Sequence, residues 1–253
     1  MISIKTKEEI KTMRQAARHL AQVLDLVVRA VKPDVSTWEL DQLAEQLILN
    51  LGAEPAFKDY CPDNRSGYPA TLCVSINQEV VHGIPKKDRI IKEGDVVGID
   101  CGVKLNGYYS DMAITVGVGK IKSEYKKLLD VTKKSLELGI KKVKEGVYLG
   151  DVSSTIQNYI EKNGFSVVRN LCGHGIGRNL HEEPSIFNFG KPKTGPILKA
   201  GMTLAIEPMV NLGDFKVKTA DDGWTIETVD GKYSAHFEHT VLVTKNGAEI
   251  LTK

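Results

Sequence analysis

The sequence predicts an α+β fold: two similar halves whose antiparallel sheet is backed by two helix pairs. Three observations carry this. Helical and strand-like textures alternate twice along the chain, as helices, strands, helices, strands. The predicted helices carry explicit start and stop signals. Residues 91-IKEGDVVGID-100 and 198-LKAGMTLAIE-207 align without gaps, and seven of their ten positions agree in chemical type. That internal match places Asp100 and Glu207 at corresponding points of a pseudo-two-fold.

In order, Thr6 and Glu9 form a capping box ahead of an apolar stripe at Ile10, Met13, Ala17, Leu20, Leu24, Val27 and Val31, closed by Pro33. Ser36 and Glu39 repeat the box and open a second helix with the stripe Leu40, Leu43, Leu47, Leu51, ended by Gly52. His19 falls between these apolar positions, on a solvated face. β-Branched runs follow at 71-TLCVSIN-77, 96-VVGIDCG-102 and 108-YYSDMAITVGV-118. A second helical pair reads over about 123–145 and 150–163, closing near Gly146 and Gly164. Short strands then run to a hairpin at Asn246-Gly247. With no Pro/Ser linker, residues 1–253 read as one domain with halves of about 1–120 and 121–253.

Composition excludes several functions. Thirty-four Lys and Arg against 32 Asp and Glu leave a net charge of +2, too balanced to predict a nucleic-acid or membrane-surface binder from charge. The lysine-rich segment 120–144 keeps helical apolar spacing and interleaves Glu124, Asp130 and Glu137, so it reads as a solvated helix face. Residues 214-DFKVKT-219 read as a solvated turn. No apolar run approaches membrane-spanning length and no secretory h-region follows the N-terminus. Cys61, Cys73, Cys101 and Cys172 form no CxxC pair, which fits reduced thiols in the cytoplasm.

Four acidic residues lie in or at the ends of strand-like runs: Asp100, Asp111, Glu207 and Glu238. If Asn106-Gly107 makes a two-residue turn, Gly102 sits opposite Asp111, and Asp100 becomes a diagonal neighbour of Asp111 on one sheet face. Burying such carboxylates unpaired is costly. Two divalent ions would balance all four, and hard oxygen donors with an imidazole suit Mn, Fe, Co or Zn. His174 in 172-CGHGIGRNLHEEP-184, His181 and His82 are the imidazole candidates. The glycine run lacks dinucleotide spacing, because Arg178 stands where the third glycine belongs.

The order His82, Asp100, Asp111, His174, His181, Glu207, Glu238, with 173-GHGIG-177 and 181-HEEP-184, resembles the methionine aminopeptidases of the pita-bread metallopeptidase family. The likeness runs from about residue 3 to residue 251 and is nearest the short bacterial type I form. It implies a pita-bread fold and a dinuclear hydrolase that removes N-terminal methionine from nascent chains when the second residue is small. It also implies that Asp100, Asp111, His174, Glu207 and Glu238 hold two divalent ions (Co, Mn, Fe or Zn), Asp111 and Glu238 bridging them. Tyr68, Cys73 and Trp224 match the methionine-pocket positions, whereas Leu171, Leu180, Tyr109, Pro62 and Arg65 depart from the usual pattern. None of these departures removes a ligand. The implied partners are nascent N-termini at the ribosome, with no membrane and no sequence-specific nucleic acid, and the implied state is a monomer.

The chemistry expected from the resemblance is attack on the scissile carbonyl by metal-bound hydroxide, with Glu207 shuttling the proton to the leaving amine. His181 would hydrogen-bond the carbonyl oxygen and His82 the leaving nitrogen. An X-Pro aminopeptidase or dipeptidase shares the five ligands but carries an additional N-terminal domain, for which the 81 residues before His82 leave no room. A non-catalytic pita-bread binding module should have lost ligands, and here all five are present.

Overall fold

Thr6 and Ser36 each accept a backbone N–H from the third residue beyond them, while Glu9 and Glu39 reach back to the cap's own N–H. These two capping boxes open α1 (Lys7–Ala30) and α2 (Thr37–Asn50) in a computed structural model that describes residues 2–61 and 66–253. The buried stripe of α1 runs through Met13, Ala17, Leu20, Leu24 and Val27, as its periodicity predicts. His19 is half-buried rather than solvated, its Nδ1 enclosed without a hydrogen-bond partner among the described residues.

The second helix departs from expectation. Leu40, Ala44 and Ile48 are its buried apolar positions, whereas Leu43, Leu47 and Leu51 pack only in part. The rotation follows from Asp41, whose buried carboxylate accepts the N–H groups of Thr71 at 2.8 Å and Leu72 at 2.9 Å. Replacing Asp41 by alanine leaves two buried donors without that acceptor. The expected cost is about 2–4 kcal/mol, read as a lower denaturant midpoint at unchanged slope.

The strands of the first half are β1 (Glu54–Pro55), β2 (Leu72–Ile76), β3 (Glu79–Val81), β4 (Val96–Leu105) and β5 (Tyr108–Gly117). Asn106 and Gly107 turn β4 into β5 with φ of 50° and 79°, the left-handed pair a two-residue turn requires. Leu105 consequently pairs with Tyr108, and Gly102 lies opposite Asp111. The other edge of β4 carries β2 and then β1.

The second half opens with α3 (Ser123–Lys142) and α4 (Leu149–Lys162). Its strands are β6 (Ser166–Val167), β7 (Gly173–Gly175), β8 (Glu182–Ile186), β9 (Thr203–Ile206), β10 (Met209–Asn211), β11 (Val217–Thr219), β12 (Ile226–Thr228), β13 (Ser234–His236), β14 (His239–Val243) and β15 (Ala248–Ile250). They form antiparallel sheets in the orders β15-β14-β9-β7-β8, β13-β10-β6 and β11-β12-β3. Half of the segment expected as a solvated turn at 214–219 is therefore strand β11, paired with β12.

The pseudo-two-fold is visible bond by bond. Asp34 N–H donates to Ile91 O and Ile91 N–H to Val35 O; in the second half Gly146 donates to Leu198 O and Leu198 to Val147 O. Each helix pair seals its own apolar cluster, one centred on Leu20, Leu40 and Ile99, the other on Leu128, Ile156 and Leu204. The halves meet along β5, where Glu238 N–H donates to Ala113 O at 2.9 Å and Thr240 Oγ1 accepts from Asp111 N–H at 2.9 Å. That seam positions the site.

Candidate active site

Glu207 and Glu238 stand at facing breaks in two adjacent strands. Ile206 pairs with His239 in one sheet, and Met209 pairs with His236 in the next. Between them Pro208 has no N–H to give to a ladder, so both chains change sheet there and release their carboxylates inward. From the other half, Asp111 and Asp100 lie on neighbouring strands, with Asp100 opposite Ala113 and Asp111 opposite Gly102. His174 pairs with Ala205 on β9. The flanking glycines are sterically required: a Cβ on Gly173 would fall 2.3 Å from Ala205 O, and one on Gly175 2.2 Å from Glu183 O.

The five residues from separate parts of the chain converge. Asp111, His174 and Glu238 each offer a donor atom within 4.8 Å of the others, and so do Glu207, His236 and Glu238. Asp100 belongs to neither trio but lines the same cavity. Burial, with Glu207 nearby, pushes Asp100 up to about 7 even though His236 opposes this. Burial and the neighbouring acids likewise push Asp111 and Glu238 well above the carboxylate range, and burial does the same to Glu207.

Three enclosed atoms show what this charge set lacks. Asp100 Oδ1, Glu238 Oε1 and His236 Nε2 are buried with no hydrogen-bond partner among the described residues. His174 Nδ1 lies 2.9 Å from Gly175 O, and a carbonyl only accepts, so Nδ1 carries the proton and Nε2 the lone pair. That lone pair faces Glu207 Oε1 at 3.6 Å and Asp111 Oδ2 at 4.0 Å. Burial lowers His174 to about 3, so it is neutral at pH 7. Orphaned oxygens and an imidazole lone pair directed at one another are a fit for divalent cations with oxygen and nitrogen ligands.

Beside these donors lies a cavity of about 110 Å³. Tyr68, Cys73 and Trp224 line it, and buried Leu180 joins them. Tyr68 Oη lies 3.0 Å from both Leu72 O and Gly83 O, and its ring meets Trp224 edge-on, which ties the wall to the turn bearing His82. His82 lines the cavity from a left-handed backbone conformation with φ of 59°. His181 opens onto it and packs edge-to-face on His174 with ring centroids 4.3 Å apart.

Not every residue singled out in the sequence belongs here. Tyr109 donates its N–H to Gly177 O and packs behind the cavity, and Leu171 packs on the cluster of Val80, Val168 and Met209. Pro62 and Arg65 lie outside the described residues. Conversely, Phe57 and Tyr60 line the cavity, and His236 reaches Glu207 Oε2 at 3.5 Å, although none was singled out from the sequence. Two aromatics three residues apart in a segment without strand periodicity were the available signal for the first pair, and the 236-HFEH-239 spacing for the third.

Buried acids and an imidazole lining one cavity with apolar side chains are the site of a metal-dependent hydrolase. Residues 11–245 match the model of Metallopeptidase family M24, and the chain belongs to that family. It is 52% identical over 252 residues to a methionine aminopeptidase of Clostridium perfringens, covering 100% of this chain and 99% of that one. It is 50% identical over 253 residues to methionine aminopeptidase 1 of Bacillus subtilis, with 100% of each chain covered. Among solved structures, a methionine aminopeptidase from Thermotoga maritima superposes with a TM-score of 0.97 at 49% identity, covering all of both chains. No helix among the described residues is long and apolar enough to cross a membrane.

Proposed function

We propose that this chain is a methionyl aminopeptidase that removes the N-terminal methionine from polypeptides whose second residue is small. The observation that carries the reading is that five oxygen and nitrogen donors and a set of apolar side chains line one cavity of about 110 Å³. Asp100, Asp111, His174, Glu207 and Glu238 would hold two divalent ions. Bound there, such ions would lower the pKa of a water from 15.7 toward about 7 and polarise the scissile carbonyl. Both halves are needed, so residues 1–253 act as one catalytic domain.

The chain's own groups divide the remaining work. Tyr68, Cys73 and Trp224 enclose the unbranched methionine side chain, and the free α-amine would sit on the Asp100 side of the donor set. Binding a free amine there explains an exopeptidase rather than an endopeptidase. Glu207 takes a proton on its carboxylate and returns it to the departing amine. His181 donates to the carbonyl oxygen as negative charge develops, and His82 contacts the leaving nitrogen. Replacing His181 by alanine is expected to lower kcat about a hundredfold, measured on Met-Ala-Ser with metal content unchanged.

The reading places the enzyme in the cytoplasm as a monomer acting on nascent chains at the ribosome. It is tested by incubating the metal-loaded protein with Met-Ala-Ser and with Ala-Pro peptides. Release of free methionine from the first alone is expected; preferential cleavage of the second would replace the reading with an X-Pro peptidase.

A further inference from the structure

Tyr60 is fixed on both sides before the chain enters residues 62–65. Its N–H donates to Phe57 O at 2.9 Å and its carbonyl accepts from Tyr68 N–H at 2.9 Å. The phenol of this half-buried residue reaches His181 Nδ1 within hydrogen-bond distance, and the two rings meet edge-on with centroids 5.1 Å apart. The backbone beside His181 is held separately. Glu182 Oε1 accepts from the N–H groups of Arg178 and Asn179, and Lys5 Nζ donates to Glu182 Oε2 at 2.6 Å. His174 braces the imidazole from a second direction. Main chain, ring plane and one ring nitrogen of His181 are thus each set by a different group.

The direction of the phenol–imidazole bond follows from the chemistry of its ends. A neutral imidazole nitrogen is a far stronger base than a phenol oxygen, and a phenol O–H is a more acidic donor than an imidazole N–H. The bond therefore runs from Tyr60 O–H to Nδ1, and the ring proton must sit on Nε2. We propose that Tyr60 is a positioning residue that holds His181 in the Nε2–H tautomer, so that an N–H rather than a lone pair meets the substrate carbonyl. The proposal rests on the role given above to His181, and it assigns Tyr60 a part beyond lining the methionine pocket.

The test is Tyr60→Phe, which keeps the ring and removes the donor, alone and combined with His181→Ala. All variants are checked for unchanged circular dichroism and metal content. In the metal-loaded enzyme Tyr60→Phe is expected to lower kcat for Met-Ala-Ser about three- to tenfold while KM stays within about twofold. In the His181→Ala background it should have no further effect. The tautomer is read directly, without turnover, from side-chain ¹⁵N–¹H correlation spectra of the zinc-loaded protein. His181 should show a protonated Nε2 in the parent and a mixture in Tyr60→Phe, while His174, set by Gly175 O, stays unchanged. Wild-type kcat in Tyr60→Phe, a double-variant loss equal to the product of the single losses, or a protonated Nδ1 in the parent would overturn the proposal. Full turnover by His181→Ala would instead remove the catalytic role of His181, and the spectra would still decide whether Tyr60 fixes its tautomer.

Discussion

Glu238→Ala is expected to abolish methionine release, with kcat/KM falling by more than about a thousandfold. Glu238 belongs to both donor trios, so its removal reaches both positions a cation would take. Its backbone is held by the bond to Ala113 O, which an alanine keeps, so the fold should survive. Metal analysis of the purified variant should show the loss of at least one equivalent relative to the parent. Glu238→Gln sharpens the result, because the amide retains shape and one oxygen donor but not the charge. Substantial turnover by either variant at full metal content would show that Glu238 is not a shared ligand.

The second large effect concerns the protein stripped of metal. An Asp in an unfolded chain releases its proton near 3.8, whereas burial holds the proton on Asp100 up to about 7. Across that interval the folded state binds more protons than the unfolded one, so its stability falls as pH rises. Asp111, Glu207 and Glu238 are pushed in the same direction. The buried imidazoles oppose this lower down: His174 and His239 are depressed to about 3 and about 4, which favours the folded state as pH rises toward 6.5. Above that value only the carboxylates continue. The Tm of metal-free protein should therefore drop by roughly several degrees between about pH 6.5 and pH 8. Saturating Mn²⁺ should remove most of the drop, because a ligand that binds only the folded state stabilises it by mass action. Asp100→Asn should reduce the drop without metal, leaving the part due to Asp111, Glu207 and Glu238. A metal-free Tm that rises through this window would mean that the acids are not buried together.

Local features of this fold were legible wherever local chemistry decides structure. Both capping boxes, the α1 stripe and the β4–β5 register follow from residues a few positions apart, and Asn106-Gly107 alone fixed which acid faces which strand neighbour. The four carboxylates were legible as a group because acids in strands demand compensation, whereas the choice of His174 among three histidines came from the family resemblance. What stayed hidden depended on distant partners. The buried face of α2 is set by Asp41 reaching the backbone of residues 71 and 72, some thirty positions on, which no helical periodicity reveals. His236 was obscured because its strand changes sheet one residue later, so side-chain alternation does not carry across to Glu238. Tyr60 touches His181 across 121 positions, and nothing in its own neighbourhood signals the contact.

The most direct measurement is an anomalous-difference map from Mn²⁺-soaked crystals grown with methionine. Two manganese peaks are expected, with carboxylates of Asp111 and Glu238 between them, Asp100 on one side, His174 and Glu207 on the other, and the methionine sulfur among Tyr68, Cys73 and Trp224. Manganese bound away from these five residues, or Asp100 and Glu238 turned from the ions, would contradict the dinuclear assignment.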